Sequence, residues 1–314
     1  MKTRFILNPS SGRNRLRPWL PGMIRNFIQV QGLEAELAVT EGPGHATALA
    51  RAAIAAGCTQ VVAVGGDGTM NEVAQALRHT PAELGLVPCG SGNGLALHLG
   101  LPLSLAQALA LTASPTARVT TIDTGEANGK PFFNAMGIGL DAVVSDRFNR
   151  LTHRGLPVYA RTVLGVIREL RPERVVISDG AAAEELEVLL VAVANSDQYG
   201  NHARIAPGAR VDDGALDLVA IRPVGLVGAV SLAVRLFAGN LHRSPGVRRF
   251  RGDRLIIERV GPGLLHTDGE THAAGARIEV RVQPRSLRVR VPARSRVTTP
   301  SPDWAPAGFA LQLP

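Results

Sequence analysis

The chain has 314 residues, 45% of them hydrophobic, and carries a formal net charge of +8. This length allows two domains with separate cores, and no uninterrupted apolar run reaches the roughly 20 residues that a membrane-spanning helix needs. Cys58 and Cys89 are the only cysteines and lack metal-site spacing, which argues against a disulfide-stabilised secreted protein and favours a cytoplasmic location.

Strand and helix patterns alternate over residues 1–118, which we take as the first domain. The pattern predicts strands over 4–7, 35–40, 60–64 and 84–87, with helices over 19–30, 45–56 and 70–77. Such alternation is typical of a doubly wound α/β domain with a mainly parallel sheet.

The first two strands each end in polar residues. The first runs into Asn8-Pro9-Ser10-Ser11-Gly12, a turn with hydroxyl and amide groups available for hydrogen bonding. Thr40 closes the second strand, so its hydroxyl should lie on the same edge of the sheet, with a helix-start role as the alternative.

The third strand ends in a glycine-rich turn, Gly65-Gly66-Asp67-Gly68-Thr69, and a helix starts with Met70-Asn71. Glycines let the backbone approach an anion, and the helix N-terminus adds about half a positive charge. We therefore predict a nucleotide phosphate site, with an ordinary βα turn as the alternative. Because Asp67 would repel a bare phosphate, we expect it to orient a ribose, a metal-bound water or a donor group.

A second glycine-rich loop, Pro88-Cys89-Gly90-Ser91-Gly92-Asn93, follows the fourth strand. Ligands of open α/β sheets bind outside the carboxyl ends of the strands. The two loops are therefore expected to hold one nucleotide from two sides.

Together these turns resemble the diacylglycerol kinase catalytic family, which includes bacterial lipid kinases, sphingosine kinases and ceramide kinases. The resemblance extends over residues 3–291, although NAD kinases share the Gly-Gly-Asp-Gly-Thr turn. Gly94 stands where many bacterial members have an acid. The resemblance implies transfer of the ATP γ-phosphoryl group to a lipid hydroxyl of diacylglycerol or sphingoid-base type, with ATP and Mg²⁺ required and Asp67 ordering the magnesium or its water.

Residues 119–292 read as a β-rich second domain, and residues 293–314 as a flexible tail. The Asn128-Gly129 pair is a hairpin signal between strands over 118–124 and 132–138. Further strands are predicted over 175–178, 186–194, 216–221, 254–258, 278–282 and 287–291, with helices over 142–148, 158–169 and 224–237. This pattern favours an antiparallel sandwich, and the resemblance implies that one late strand returns to the first domain.

The resemblance assigns chemistry to three places in this second half. Asp268-Gly269-Glu270 corresponds to the turn that supplies the proton acceptor, and the sequence leaves open whether Asp268 or Glu270 acts. Asp213, with the carbonyls of Arg210 and Ala215, corresponds to a structural magnesium site, a plain turn being the alternative. Asp141 corresponds to an acid near the acceptor head group, a helix cap being the alternative.

Arginines concentrate in the C-terminal third. They suit either an anionic membrane surface or merely solvated strand faces, whereas the scarcity of interleaved aromatics argues against nucleic acid. We expect a lipid substrate at a membrane surface, on its inner face, and leave a homodimer open. The alternative functions are an NAD kinase, a catalytically silent lipid- or nucleotide-binding regulator and, with less support, a phosphofructokinase.

Overall fold

The computed structural model describes residues 1–149, 171–179 and 182–295. Their contacts form two compact units, Met1–Asp123 with the residues from Pro284 onward, and Thr124–Gln283. The predicted helix over 158–169 and most of the predicted tail lie outside the described residues. Within the described ranges, no helix combines the length and the apolar content needed to cross a bilayer.

A parallel sheet forms the centre of the first unit, with strand order β2-β1-β3-β4. The strands are β1 (Thr3–Leu7), β2 (Ala35–Val39), β3 (Gln60–Gly65) and β4 (Glu83–Pro88). The helices are α1 (Leu20–Val30), α2 (His45–Ala55), α3 (Asp67–Leu77), α4 (Gly94–His98) and α5 (Leu105–Ala113), and a 3₁₀ turn spans Gly12–Leu16.

Burial explains why this unit forms. Strand β3 is buried along its whole length, as expected where helices cover both faces of a parallel sheet. On one face Phe5 and Val62 pack in a cluster with Leu20 and Ile24 of α1 and Leu109 of α5. The predicted alternation of strand and helix is confirmed.

The second unit contains two larger antiparallel sheets and a small two-stranded one. Its further strands are β5 (Arg118–Ala127, beginning in the first unit), β6 (Lys130–Phe132), β7 (Ala135–Gly139), β8 (Glu173–Ser178), β9 (Ala183–Val188), β10 (Leu190–Ala194), β11 (Gln198–Gly200), β12 (Ala203–Arg204), β13 (Leu216–Ile221), β14 (Val247–Gly252), β15 (Arg254–Arg259), β16 (Gly263–Thr267), β17 (Glu270–Ala274) and β18 (Arg277–Val291). The helices are α6 (Leu140–Asn149) and α7 (Leu226–Ala238), with a 3₁₀ turn at Leu241–Arg243.

One sheet has the order β14-β13-β10-β7-β16-β17, and β18, β15, β8 and β9 form the other. Their inner faces share a single apolar cluster, in which Ile138 and Leu218 of the first sheet meet Ile177 and Ile257 of the second. This is a sandwich, so the predicted fold class is confirmed.

Some element bounds differ from the prediction. The run over 186–194 forms two strands in different sheets, β9 and β10. The two predicted late strands form the single strand β18, whose residues from Pro284 belong to the first unit. There Arg288 and Val289 pair in parallel with β4, so the strand return implied by the resemblance is observed. The contacts divide the chain after Asp123 rather than after 118.

Candidate active site

The predicted nucleotide residues follow strands that end at one edge of the first unit's sheet. Leu7 lies opposite Val39 and Val64, and Gly65 lies opposite Pro88. The turns after β1, β2, β3 and β4 therefore emerge side by side, as the parallel arrangement predicts.

Glycines allow three of these turns to contact one another. A Cβ atom on Gly66 would lie 3.0 Å from Ser11 Oγ and 3.1 Å from the Cα of Gly90, and one on Gly12, at φ +48°, would lie 2.4 Å from the carbonyl oxygen of Cys89. The amide of Gly66 donates to Ser11 Oγ at 2.6 Å. Larger residues would separate the turns, so glycine is a steric requirement at these positions.

Asn8 joins the first turn to the start of α3. Its Nδ2 donates to Thr69 Oγ1 at 3.1 Å, while its Oδ1 accepts the amide of Ser10 at 2.9 Å. Both the NH₂ group and the oxygen of the Asn8 side chain therefore form hydrogen bonds, and these bonds fix the polar turn beside the glycine loop.

Asp67 fixes the second glycine loop. Its Oδ2 accepts the amide of Asn93 and its Oδ1 accepts the amide of Gly94, both at 2.8 Å. Asn93, at φ +53°, closes the loop by accepting the amide of Gly90 at 3.0 Å. Burial raises the pKa of Asp67 above its usual value, and the two donated amides oppose this shift. This internal role of Asp67 was not evident from the sequence; an additional role toward magnesium stays a prediction.

The start of α3 offers amides to an anion. Its first backbone bond runs from the amide of Met70 to the carbonyl of Gly66, so the preceding N–H groups have no acceptor within the helix. Gly68 is exposed, and no heavy atom lies within 4 Å of the position that its Cβ would take. A phosphate can approach this turn, and the dipole of α3 favours its charge.

The remaining predicted nucleotide residues divide by exposure. Pro9, Ser10 and Ser91 are exposed and Gly92 is half-buried. Thr40, Met70 and Asn71 are buried in the described arrangement. Their predicted contact with a nucleotide stays a prediction.

In the second unit, Asp268 lies in the turn between β16 and β17 and accepts three backbone amides. The amide of Phe133 reaches its Oδ2 at 2.7 Å, and those of Asn134 and Ala135 reach its Oδ1 at 2.8 and 3.0 Å. Burial nevertheless raises the pKa of Asp268 to about 6, with the amides opposing the shift. Glu270 is exposed, so the two acids of this turn have different environments.

A buried chain of polar side chains connects Asp141 to the same turn. The Tyr199 hydroxyl donates to Asp141 Oδ2 at 2.5 Å, and His266 Nε2 lies 2.8 Å from that oxygen. His266 Nδ1 in turn accepts the amide of Gly269 at 3.2 Å. Asp141 thus has internal partners, and its predicted contact with a substrate head group stays a prediction.

Sequence reasoning missed Tyr199 and His266. The one feature of the sequence that marks this contact is Gly137 on β7, where a Cβ would lie 2.4 Å from Asp141 Oδ2 and 2.7 Å from His266 Nε2. The need for glycine there can be recognised only once β7 is known to pair with β16. Burial lowers the pKa of His266, and the adjacent Asp141 carboxylate more than offsets this, so the pKa lies above its usual value.

The predicted magnesium residues are occupied by ion pairs. Asp213 Oδ2 contacts Arg251, and Asp213 Oδ1 accepts the amide of Ala215 at 3.2 Å. Arg210 pairs with Asp212 at 3.0 Å. Guanidinium groups therefore supply the positive charge, and residues 1–149, 171–179 and 182–295 contain no group of three or more His, Cys, Asp or Glu side chains arranged for a metal. The structural magnesium ion that the resemblance implies at Asp213, Arg210 and Ala215 stays a prediction.

Many of the C-terminal arginines also have internal partners. Arg248 pairs with Glu184, Arg254 and Arg281 with Glu279, Arg277 with Glu258, and Arg290 with Glu83. Arg259 donates to backbone carbonyls instead. Pairing reduces the charge that this set can offer an anionic membrane, which favours the solvated-face interpretation for these residues.

Known families match both halves of the chain. The diacylglycerol kinase catalytic domain matches residues 2–127. The YegS C-terminal NAD kinase beta sandwich-like domain matches residues 134–291. The two matches meet near the division between the two compact units.

The chain is also similar to named proteins along most of its length. A "Probable lipid kinase YegS-like" of Pseudomonas aeruginosa is 36% identical over 269 residues, which covers 84% of this chain and 87% of the relative. A diacylglycerol kinase of Bacillus subtilis is 28% identical over 282 residues, covering 86% and 89%. A Bacillus anthracis crystal structure described as a diacylglycerol kinase aligns with a TM-score of 0.68 at 19% identity over 92% and 96% of the two chains, a likeness of fold alone.

Replacing Asp67 with asparagine should loosen the second glycine loop. The new NH₂ group would face a backbone N–H that the carboxylate now accepts, and an unsatisfied donor costs about 1–3 kcal/mol. We expect faster hydrogen exchange at Asn93 and Gly94, measured by mass spectrometry, and ATP binding at least about tenfold weaker. Glu36→Gln, at an exposed acid of β2, is the control. Unchanged exchange in Asp67→Asn would show that the loop does not depend on this carboxylate.

Replacing Asp141 with asparagine should change the pH dependence of stability. Because the folded pKa of His266 is raised, the stabilisation from its pair with Asp141 is fully present below the unfolded value of about 6.5 and is lost as pH rises through the folded pKa. We expect Asp141→Asn to lower the melting temperature more at about pH 6 than at about pH 9.

The other ionisable groups acting on His266 are Asp268 and His272, and both remain in the variant. Tyr199→Phe retains the carboxylate and is the matched control, so it should keep the wild-type pH dependence. A parallel loss of stability at all pH values in Asp141→Asn would exclude a charged pair.

Proposed function

Because this chain belongs to the diacylglycerol kinase catalytic family and is similar to YegS-like lipid kinases, we propose that it transfers the γ-phosphoryl group of ATP to the hydroxyl of a neutral lipid of the diacylglycerol type. Family membership makes the chain a lipid kinase. The donor and the acceptor class are our proposals, and the arrangement of Asp67, the glycine loops and α3 is the observation that carries the donor.

The donor proposal rests on backbone amides. Phosphoryl transfer needs positioning and neutralisation of charge more than covalent help from the protein. The first amides of α3, beside exposed Gly68, suit the phosphates of ATP. Asp67 is compatible with that anion because both its oxygens already accept amides. Magnesium bound with the nucleotide would neutralise further phosphate charge.

Asp268 is the better supported proton acceptor. Three amides hold its carboxylate in one orientation, and a pKa of about 6 leaves it ionised yet basic near neutral pH. Glu270 is exposed, so it lacks the burial that raises the pKa of Asp268. We therefore assign the acceptance of the lipid hydroxyl proton to Asp268.

The surroundings of Asp141 favour a neutral acceptor. A sphingoid base carries an amine that an acid near the head group would pair with. Here the Asp141 carboxylate already contacts Tyr199 and His266. An acceptor without an amine, such as diacylglycerol, requires no rearrangement of this buried chain.

A panel of acceptors tests the function. Radiolabelled ATP should be consumed with diacylglycerol in mixed micelles faster than with sphingosine or phosphatidylglycerol, and no label should enter NAD. Transfer to NAD would instead identify an NAD kinase. ATP binding without turnover on any lipid would identify a silent regulator.

The base assignment predicts different behaviour for the two acids of the turn. Asp268→Asn should lower kcat by roughly 10²–10⁴-fold and leave ATP affinity unchanged, since a general base acts only during transfer. In the wild type and in Glu270→Gln, kcat/KM should rise with pH through about 6, where Asp268 loses its proton. Loss of this inflection in Glu270→Gln, with full activity in Asp268→Asn, would reverse the assignment.

A further inference from the structure

Helix α7 exposes an apolar stripe. Val227, Val230, Val234 and Phe237 have exposed fractions of 85%, 60%, 63% and 48%. Their spacing of three, four and three residues places them on one face of the helix. Single exposed apolar residues are common, but four on one face form a patch of the kind that marks an interaction surface.

The opposite face of α7 is anchored in the second unit. Leu232 is buried and Leu236 packs in the same apolar cluster, beside Ala192 and Val219 of the sheet. The helix is therefore held by its inner face while its outer face, equally apolar, remains uncovered. This exposure is a property of the folded unit.

The charged residues on either side of the stripe in the sequence are all basic. Residues 218–252 include six arginines and no aspartate or glutamate. Arg248 and Arg251 have acidic partners elsewhere in the unit. Arg222, shortly before α7, and Arg235, in its last turn, form no ion pair within the described ranges. An apolar face flanked in sequence by these cations complements an anionic, apolar-cored surface.

We infer that α7 docks the protein on an anionic lipid bilayer, with the four apolar side chains entering the interface and Arg222 and Arg235 contacting headgroup phosphates. The inference rests on the proposed lipid acceptor, because such a substrate resides in a bilayer. A second copy of the chain fits less well. In a symmetric antiparallel pair of α7 helices, Arg235 of one copy would approach the other copy's Arg222, and like charges repel.

Vesicle sedimentation without ATP tests this surface directly. We compare vesicles of phosphatidylglycerol and phosphatidylcholine in equal parts with vesicles of phosphatidylcholine alone. The double variant Val230→Ser, Val234→Ser should bind the anionic vesicles at least about tenfold more weakly than the wild type, since two valines no longer enter an apolar phase. The double variant Arg222→Gln, Arg235→Gln should bind anionic vesicles about tenfold more weakly than the wild type at low salt. Its binding to vesicles of phosphatidylcholine alone should not change.

The matched control is Val30→Ser with Val260→Ser, which removes two valines that are 70% and 87% exposed outside α7. It should bind like the wild type, and all variants should keep the wild-type melting temperature. Equal vesicle binding by the α7 double variant and the wild type overturns the inference, as does absence of wild-type binding. A third outcome also overturns it: the wild type is a dimer, the α7 double variant is a monomer, and the two bind vesicles equally. A second copy of the chain would then be the partner that covers the stripe.

Activity on micellar diacylglycerol separates this inference from the proposed function. If the wild type binds anionic vesicles through α7 but phosphorylates no lipid, the function fails and the surface stands. If the wild type is active on micelles but binds no vesicles, the surface fails and the function stands.

Discussion

Asp67 accepts the amides of Asn93 and Gly94 on its two carboxylate oxygens, and the arrangement of the glycine loops at the carboxyl edge of the first unit's sheet depends on this bridge. Together with the amide of Cys89, which donates to the carbonyl of Gly65 at 2.7 Å, it holds the second glycine loop against the first at the close Gly66–Gly90 approach. The bridge also resolves an electrostatic conflict. A carboxylate beside a phosphate site repels the ligand, but here its charge is directed at amides of the neighbouring loop, while the first amides of α3 remain available to an anion.

In the second unit a carboxylate again accepts backbone amides, but this acid is the candidate proton acceptor. Asp268 accepts three amides of the segment that leads into β7, so its position is fixed by backbone. Because burial outweighs those amides, the pKa of Asp268 still rises to about 6, which suits proton transfer near neutral pH. The Tyr199–Asp141–His266 chain reaches the same turn through Gly269, so a buried network supports the geometry of the catalytic candidate.

Not all of the residues behind the net charge of +8 are equally available to attract an anionic membrane. Several arginines of the C-terminal third pair with glutamates of other strands, and exposed pairs of this kind contribute little to stability. The number of arginines in the sequence therefore overestimates the positive electrostatic potential that would attract a membrane. Within the described residues Arg222 and Arg235 form no ion pair, so local pairing, and not total charge, distinguishes a docking surface from a solvated one.

The sequence by itself determined the order of strands and α-helices from β1 to β4, the glycine turns and the Asn128-Gly129 hairpin, because periodicity and turn chemistry are local properties. Helices α4 and α5 were not predicted. Strand β14 escaped prediction, since its three arginines hide the alternation around Phe250. Only the tertiary structure decided the partners of Asp67, the contact of Tyr199 with Asp141 across 58 residues, and which apolar face of α7 is buried. These depend on strand pairing and packing between distant segments, and a helix that is apolar on both faces carries no local signal of which face the fold will cover.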